Sequence, residues 1–274
     1  MFKDIVYVSD FFYPESSGGA ELVDKTIIED IKCSSITTRN ITKFDNSKKY
    51  IISNISLLPE NLIAELESHK DFIIVEHDYK ICKSRHPWRY NDNLVSASDR
   101  VNYNLYKNAK AVFVQTTDHL NIFKLNKVEA NFINLGCSIW SHTELDTLTK
   151  YATTIKNTHK FAVVKSSNWI KNTEGASRFC DAQDIDYSLI SENNWESFIK
   201  TLSDFPALVF FPLARESCCR LVIEARCLFM NIITTKNYGA VLEQYIKHSG
   251  YNLIEYLKIE SAKNLKLIKQ YAIS

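Results

Sequence analysis

Ala207 to Phe211 is an unbroken apolar run, and shortly after it Leu221, Val222, Ala225, Leu228 and Phe229 recur at helical spacing. A run that is apolar at every position suits a parallel strand covered on both faces, and such strands need helical crossovers. The same pairing returns along the chain. Strand-like runs stand at Ile5 to Val8, Lys49 to Ile55, Asp71 to Glu76, Lys110 to Gln115, Glu129 to Leu135, Lys160 to Lys165, Tyr187 to Ile190 and Asn231 to Thr235. Helical periodicity predicts Ala20 to Ile31, Pro59 to His69, Ser96 to Asn108, Asp118 to Leu125, Asp146 to Asn157, Trp195 to Leu202, Gly239 to Lys247 and Leu253 to Tyr271. Alternation in both halves predicts an α/β chain with two parallel-sheet domains. The linker is expected around Ser138 to His142, giving domains 1–137 and 138–274, with packing of the last helix back onto the first domain as an option.

Composition removes several function classes. With 45% hydrophobic and 24% charged residues in 274, the chain is globular and long enough for two modest cores. A formal net charge of +1 gives no global field for nucleic acid or membrane surfaces. The seven cysteines have no C-x-x-C and no regular spacing, which suggests reduced thiols and a cytoplasmic location. No signal peptide or transmembrane segment is expected; peripheral membrane contact stays open.

The candidate chemistry lies at strand ends. Between the apolar run and its helix stand Glu216 and Ser217, and Glu224 follows in the helix. Ser217 is an expected N-cap, leaving the N–H groups of Cys218, Cys219, Arg220 and Leu221 to face an anion. A mostly helical interval would set the two glutamates about 12 Å apart, too far to act on one bond. They suit two hydroxyl-bearing ends of one long ligand with a negative middle, the layout of a nucleotide sugar; ordinary exposed glutamates are the plain alternative. Gly18-Gly19 precedes the first helix, where glycine lets a ligand approach the backbone. It is not G-x-G-x-x-G, so a nicotinamide fingerprint is absent. His77 follows the Asp71 to Glu76 strand, where open α/β sheets collect ligands, a position equally suited to a structural histidine. Tyr79 to Tyr90 interleaves Lys80, Lys83, Arg85 and Arg89 with Tyr79, Trp88 and Tyr90. That mixture suits an anionic, ring-bearing acceptor or, more plainly, a solvated basic loop.

Glu216-Ser-Cys-Cys-Arg-Leu-Val-Ile-Glu224-Ala225 and Gly18-Gly19-Ala20-Glu21 together resemble glycosyltransferase family 4. The resemblance implies the GT-B architecture, two Rossmann-like parallel-sheet domains facing across a cleft. It implies that Glu216 and His77 touch the donor sugar and that Glu224 holds the ribose hydroxyls. It also implies an Arg and a Lys six residues apart on the diphosphate; this chain has Lys165 and Lys171 there, which keeps the charge without the planar fork. By the same resemblance, transfer is retaining and metal-independent, with His77, Lys171 and Glu216 as the catalytic set. No cofactor is expected beyond a UDP- or GDP-sugar co-substrate, and no Asp-x-Asp metal loop is found. A glycan or glycolipid acceptor ranks ahead of a hydroxymethylated base in DNA. Rival readings are a nucleotide-sugar epimerase and a non-catalytic nucleotide-sugar binding module.

Overall fold

The computed structural model describes residues 2–16, 18–192 and 194–274, which divide into two compact units: residues 1–139 with 261–274, and residues 140–260. In the first unit, β1 (Phe2–Ser9), β2 (Cys33–Thr37), β3 (Lys49–Ile52), β4 (Phe72–Val75), β5 (Val112–Val114) and β6 (Phe132–Asn134) form one parallel sheet in the order β2-β1-β3-β4-β5-β6. Successive residues of its central strands serve opposite faces. Ile51, Ile73 and Phe113 pack with Val23, Ile27 and Ile31 of α1 (Gly19–Ile31) and with Ile268 and Ala272 of the last helix. Ile52, Ile74, Val112 and Val114 pack with Leu62 and Leu66 of α2 (Glu60–Glu67), Leu105 and Tyr106 of α3 (Tyr103–Asn108), and Ile122 and Phe123 of α4 (Thr117–Leu125). Both faces are covered, which is why these strands carry no polar alternation.

The second unit holds α5 (His142–Tyr151), β7 (Phe161–Val164), α6 (Thr173–Ala182), β8 (Tyr187–Ile190), α7 (Trp195–Ser203), β9 (Ala207–Phe210), α8 (Arg220–Cys227) and β10 (Asn231–Thr234). Its sheet is parallel, in the order β10-β9-β7-β8. Ala176 and Cys180 of α6 pack on Val163 and Val209, while α5, α7 and α8 pack on one another. The final helix, α9 (Gly250–Ile273), contributes its residues from Ser261 onward to the first unit.

Two expectations are corrected and one strand is added. Ser96 to Asn108 is not one helix: a turn at Ala97–Asp99 precedes α3, because Arg100 bridges Cys82, Val101 N–H bonds to Ile81 O, and Asn102 takes a left-handed φ of 62°. Gly239 to Lys247 is two short 3-10 turns, Gly239–Leu242 and Gln244–Lys247, broken by extended Glu243. There the Gly239 and Ala240 N–H groups bond to Glu216 O and Cys218 O. The edge strand β2 is not predicted, since Cys-Ser-Ser-Ile-Thr lacks an apolar run.

Candidate functional site

Each sheet reverses direction once. In the second unit the chain runs from β7 to β8 on one side and from β9 to β10 on the other, so the loops after β7 and β9 diverge. Such a switch point at the carboxyl ends of parallel strands leaves a ligand-sized crevice. Side chains and backbone join the two loops there. Asn172 Nδ2 donates to Phe211 O at 2.9 Å, Leu213 N–H bonds to Ile170 O at 2.9 Å, and Lys171 Nζ lies 2.8 Å from Glu216 Oε1. Asn172 itself sits at φ 51° and caps α6 through the Gly175 N–H. A Cβ at position 175 would stand 2.4 Å from that Asn172 amide, so glycine is what admits the cap.

Lys171 and Glu216 are therefore brought together, each partly open to solvent, at 32% and 20% side-chain exposure. Burial alone would lower the Lys171 pKa; Glu216, with Cys219 and Glu224 behind it, outweighs burial and raises it. The lysine is a fixed cation at neutral pH. Its ammonium also lies 5.6 Å from the Phe210 ring centroid. Lys165, exposed, follows β7 on the same side of the sheet.

The helix start differs from expectation. Ser217 is not the N-cap; Cys219 is, at φ 70° and ψ 72°, and it makes no side-chain cap bond. Residues 216–218 are drawn instead into pairing with the segment after β10. Glu216 forms a parallel bridge with Tyr238, and its N–H bonds to Asn237 O. Part of the interval from Glu216 to Glu224 is thus loop, and the helical-rise estimate of their separation does not apply. Ser217, Cys218 and Cys219 are buried, and Leu221 lies in the first turn of α8. Burial, then Glu216, pushes the Cys219 thiol well above its ordinary range, so it is no nucleophile at neutral pH.

Glu224 and Arg220 face inward. Glu224 Oε1 accepts from Trp140 Nε1 and from Arg220 Nε, both at 3.1 Å. The Arg220 guanidinium also pairs with Glu144 and lies 4.7 Å from the Trp140 ring centroid. Sequence reasoning missed Trp140 and Glu144. The signal for the second was present: Ser141-x-x-Glu144 is a capping box, and both of its hydrogen bonds form.

In the first unit the corresponding groups are tied internally. Gly18 precedes α1 in extended conformation, and a Cβ there would stand 2.5 Å from Glu21 Oε2, so Gly18 makes room for that carboxylate. Residue 17, within this loop, lies outside the described residues. His77 is buried, with Nε2 2.7 Å from Asp24 Oδ1 and Nδ1 2.9 Å from Gln115 Nε2. The carboxylate can only accept, which assigns the proton to Nε2 and leaves Nδ1 to accept from the amide. Asp24 also accepts from Tyr7 and Ser53. A sugar would thus reach His77 only by displacing a partner of its ring.

Of the basic loop, Lys80 is buried and pairs with Glu76, whose other oxygen accepts from Tyr106 at 2.5 Å. Arg85 pairs with Asp78 and donates to Ser56, while Arg89 is exposed beside the Trp88 ring. Burial, then Arg89 and Arg85, lowers the His86 pKa. Lys80, Lys83 and Arg85 line a cavity of about 420 Å³ together with Ile63, Glu67 and Asn102. Among the described residues no cluster of three or more His, Cys, Asp or Glu could hold a metal ion, and no helix is long and apolar enough to cross a membrane.

No family model matches the chain, and no curated protein matches it by sequence. By structure it is similar to trehalose-6-phosphate synthase OtsA, with TM-score 0.59 and 9% identity over 99% of this chain and 94% of that one. It is also similar to WaaG, a glycosyltransferase involved in lipopolysaccharide biosynthesis, with TM-score 0.52 and 12% identity over 98% and 94%. At such identities the likeness is one of fold: two Rossmann-like parallel-sheet units of the GT-B class.

Proposed function

We propose that this chain is a glycosyltransferase that moves a sugar from a nucleotide-sugar donor, such as a UDP- or GDP-sugar, to a hydroxyl of a glycan or glycolipid. The observation that carries the reading is the Lys171–Glu216 pair at the switch point of the second sheet. The GT-B fold, shared with a glycosyltransferase, supports it. Lys171, joined by exposed Lys165, neutralises the diphosphate. Glu216, released from Lys171 by the incoming phosphate, accepts hydrogen bonds from the sugar. Glu224 takes the ribose hydroxyls. The acceptor lies against the Lys83 and Arg85 side of the first unit, whose mixed lining of charges and Ile63 suits a polyol with an apolar face.

Transfer is retaining and needs no metal in this reading. The acceptor oxygen bonds to the anomeric carbon on the face from which the phosphate departs, and its proton passes to that phosphate. Charge growing on the leaving group is what Lys171 stabilises. Seven buried cysteines, none in a disulfide, accord with a reducing compartment such as the cytoplasm. A thermal-shift screen of UDP- and GDP-sugars tests the reading, since a ligand that binds only the folded chain raises its melting temperature. A shift with one donor that Lys171→Ala diminishes is expected; no shift with any common donor would remove the proposal.

A further inference from the structure

Arg220, Glu144, Glu224 and Trp140 form a built cluster rather than a surface contact. Their exposures are 8%, 6%, 4% and 1%. The two glutamates divide their oxygens with a regular logic. Glu144 gives Oε2 to the Ser141 N–H and hydroxyl, at 2.8 and 2.9 Å, and Oε1 to Arg220. That ties the guanidinium to the first turn of α5. Arg220 then donates Nε to Glu224 on its own helix, and Trp140 donates its indole N–H to the same oxygen, Oε1. Both bonds converge on one carboxylate oxygen and neither takes Oε2.

Two carboxylates around one guanidinium leave the trio with an excess of negative charge. Burying such an excess is costly unless further donors meet it. The charge repels a phosphate and favours neutral hydroxyl donors. A carboxylate fixed through one oxygen can offer the other, in a set direction, to a pair of adjacent hydroxyls.

We infer that Trp140, Glu144 and Arg220 are positioning residues that hold Glu224 for the vicinal diol of the donor's ribose, so that the site selects ribonucleotides over their deoxy forms. This rests on the nucleotide-sugar reading above and adds three residues and a discrimination to it. Arg220 thereby acts through Glu224 and not on the diphosphate.

The experiment is calorimetric titration of the whole chain with UDP and GDP, and with the 2′,3′-dideoxy form of each. The wild type should bind its preferred ribonucleotide about tenfold or more tighter than the dideoxy form, the scale of one hydrogen bond to a charged group. Trp140→Phe should weaken the ribonucleotide about tenfold and leave the dideoxy form nearly unchanged, so that the ratio falls toward one. Glu144→Gln, which preserves an acceptor for the capping box, should lower the ratio less, and Arg220→Lys should keep more of it than Arg220→Met. If Trp140→Phe weakens both forms equally, the residue merely supports the fold and the inference fails. Equal binding of the two forms by the wild type overturns it while leaving the nucleotide reading intact. Absence of binding by UDP and GDP alike ends both.

Discussion

The strand ends of the two units carry similar residue types in opposite states. In the first unit, Asp24, Glu76, His77 and Lys80 are buried, and their polar atoms are engaged with one another or with Tyr7, Ser53, Tyr106 and Gln115. In the second, Lys171 and Glu216 pair with each other while partly open to solvent. A buried charged group that loses its partner keeps its full desolvation cost, whereas a partly exposed pair exchanges partners at lower cost. The first set fastens β1, α1, β3, β4 and β5 together; the second is the pair proposed above to meet the donor.

The largest expected effect follows from that contrast. Asp24→Ala strips an acceptor from Tyr7, Ser53 and His77 at once, and should cost about 3–5 kcal/mol, the range for breaking a buried charged network. Urea unfolding measures it. A loss below about 1 kcal/mol would mean that the network does not fasten the sheet. Lys171→Ala is the mirror experiment. Its pair is only partly exposed but open enough to rehydrate, so stability should move by no more than about 1–2 kcal/mol. Turnover with the donor identified by thermal shift should fall about 10²-fold, as for removal of one preorganised charge-stabilising group. A variant that is unstable yet fully active would reverse the contrast between the units.

How far these states were legible depends on what each feature draws on. Ile5 to Val8 and Ala207 to Phe211 announce themselves because a strand covered on both faces must be apolar throughout. β2 hides because an edge strand with Ser34 and Ser35 exposed carries no such demand. The proximity of Lys171 to Glu216 agrees with motif order, since both follow neighbouring strands. The cap is not foreseeable from Ser217 alone: hydrogen bonds to Asn237 and Gly239 hold the segment before α8, and these partners lie a whole strand further on. His77 could be placed at a strand end from sequence, but not the two partners that occupy its ring. Trp140 was invisible because an indole donor has no local signature, and its acceptor, Glu224, lies far along the chain.

The first unit should also be the acid-sensitive one. Burial pushes the His119 pKa down to about 3; Nε2 lies 2.6 Å from the Asp78 carbonyl and Nδ1 3.3 Å from the Gln115 N–H. A folded-state pKa below the unfolded value of about 6.5 contributes stability that is present above 6.5 and lost as pH falls toward 3. Between pH 7 and pH 5 the loss should be on the order of 2 kcal/mol. His86 acts in the same direction. Urea midpoints at pH 7, 6 and 5 should fall in the wild type and fall less in His119→Gln. Parallel slopes would assign the acid sensitivity elsewhere.

The smallest effect is expected at Arg89. Its guanidinium is exposed and lies 5.6 Å from the Trp88 ring centroid. A cation–π contact in water is worth about 0.5–1 kcal/mol, and screening of an exposed charge weakens what remains. Arg89→Ala should therefore leave unfolding nearly unchanged and raise the acceptor KM a few-fold at low salt, with the donor KM untouched. Arg85 supplies the control, because it is fastened to Asp78 and Ser56. Arg85→Ala should lower stability as well as raise the acceptor KM. If Arg89→Ala alters donor KM instead, the basic loop serves the nucleotide, and the division of labour between the two units has to be redrawn.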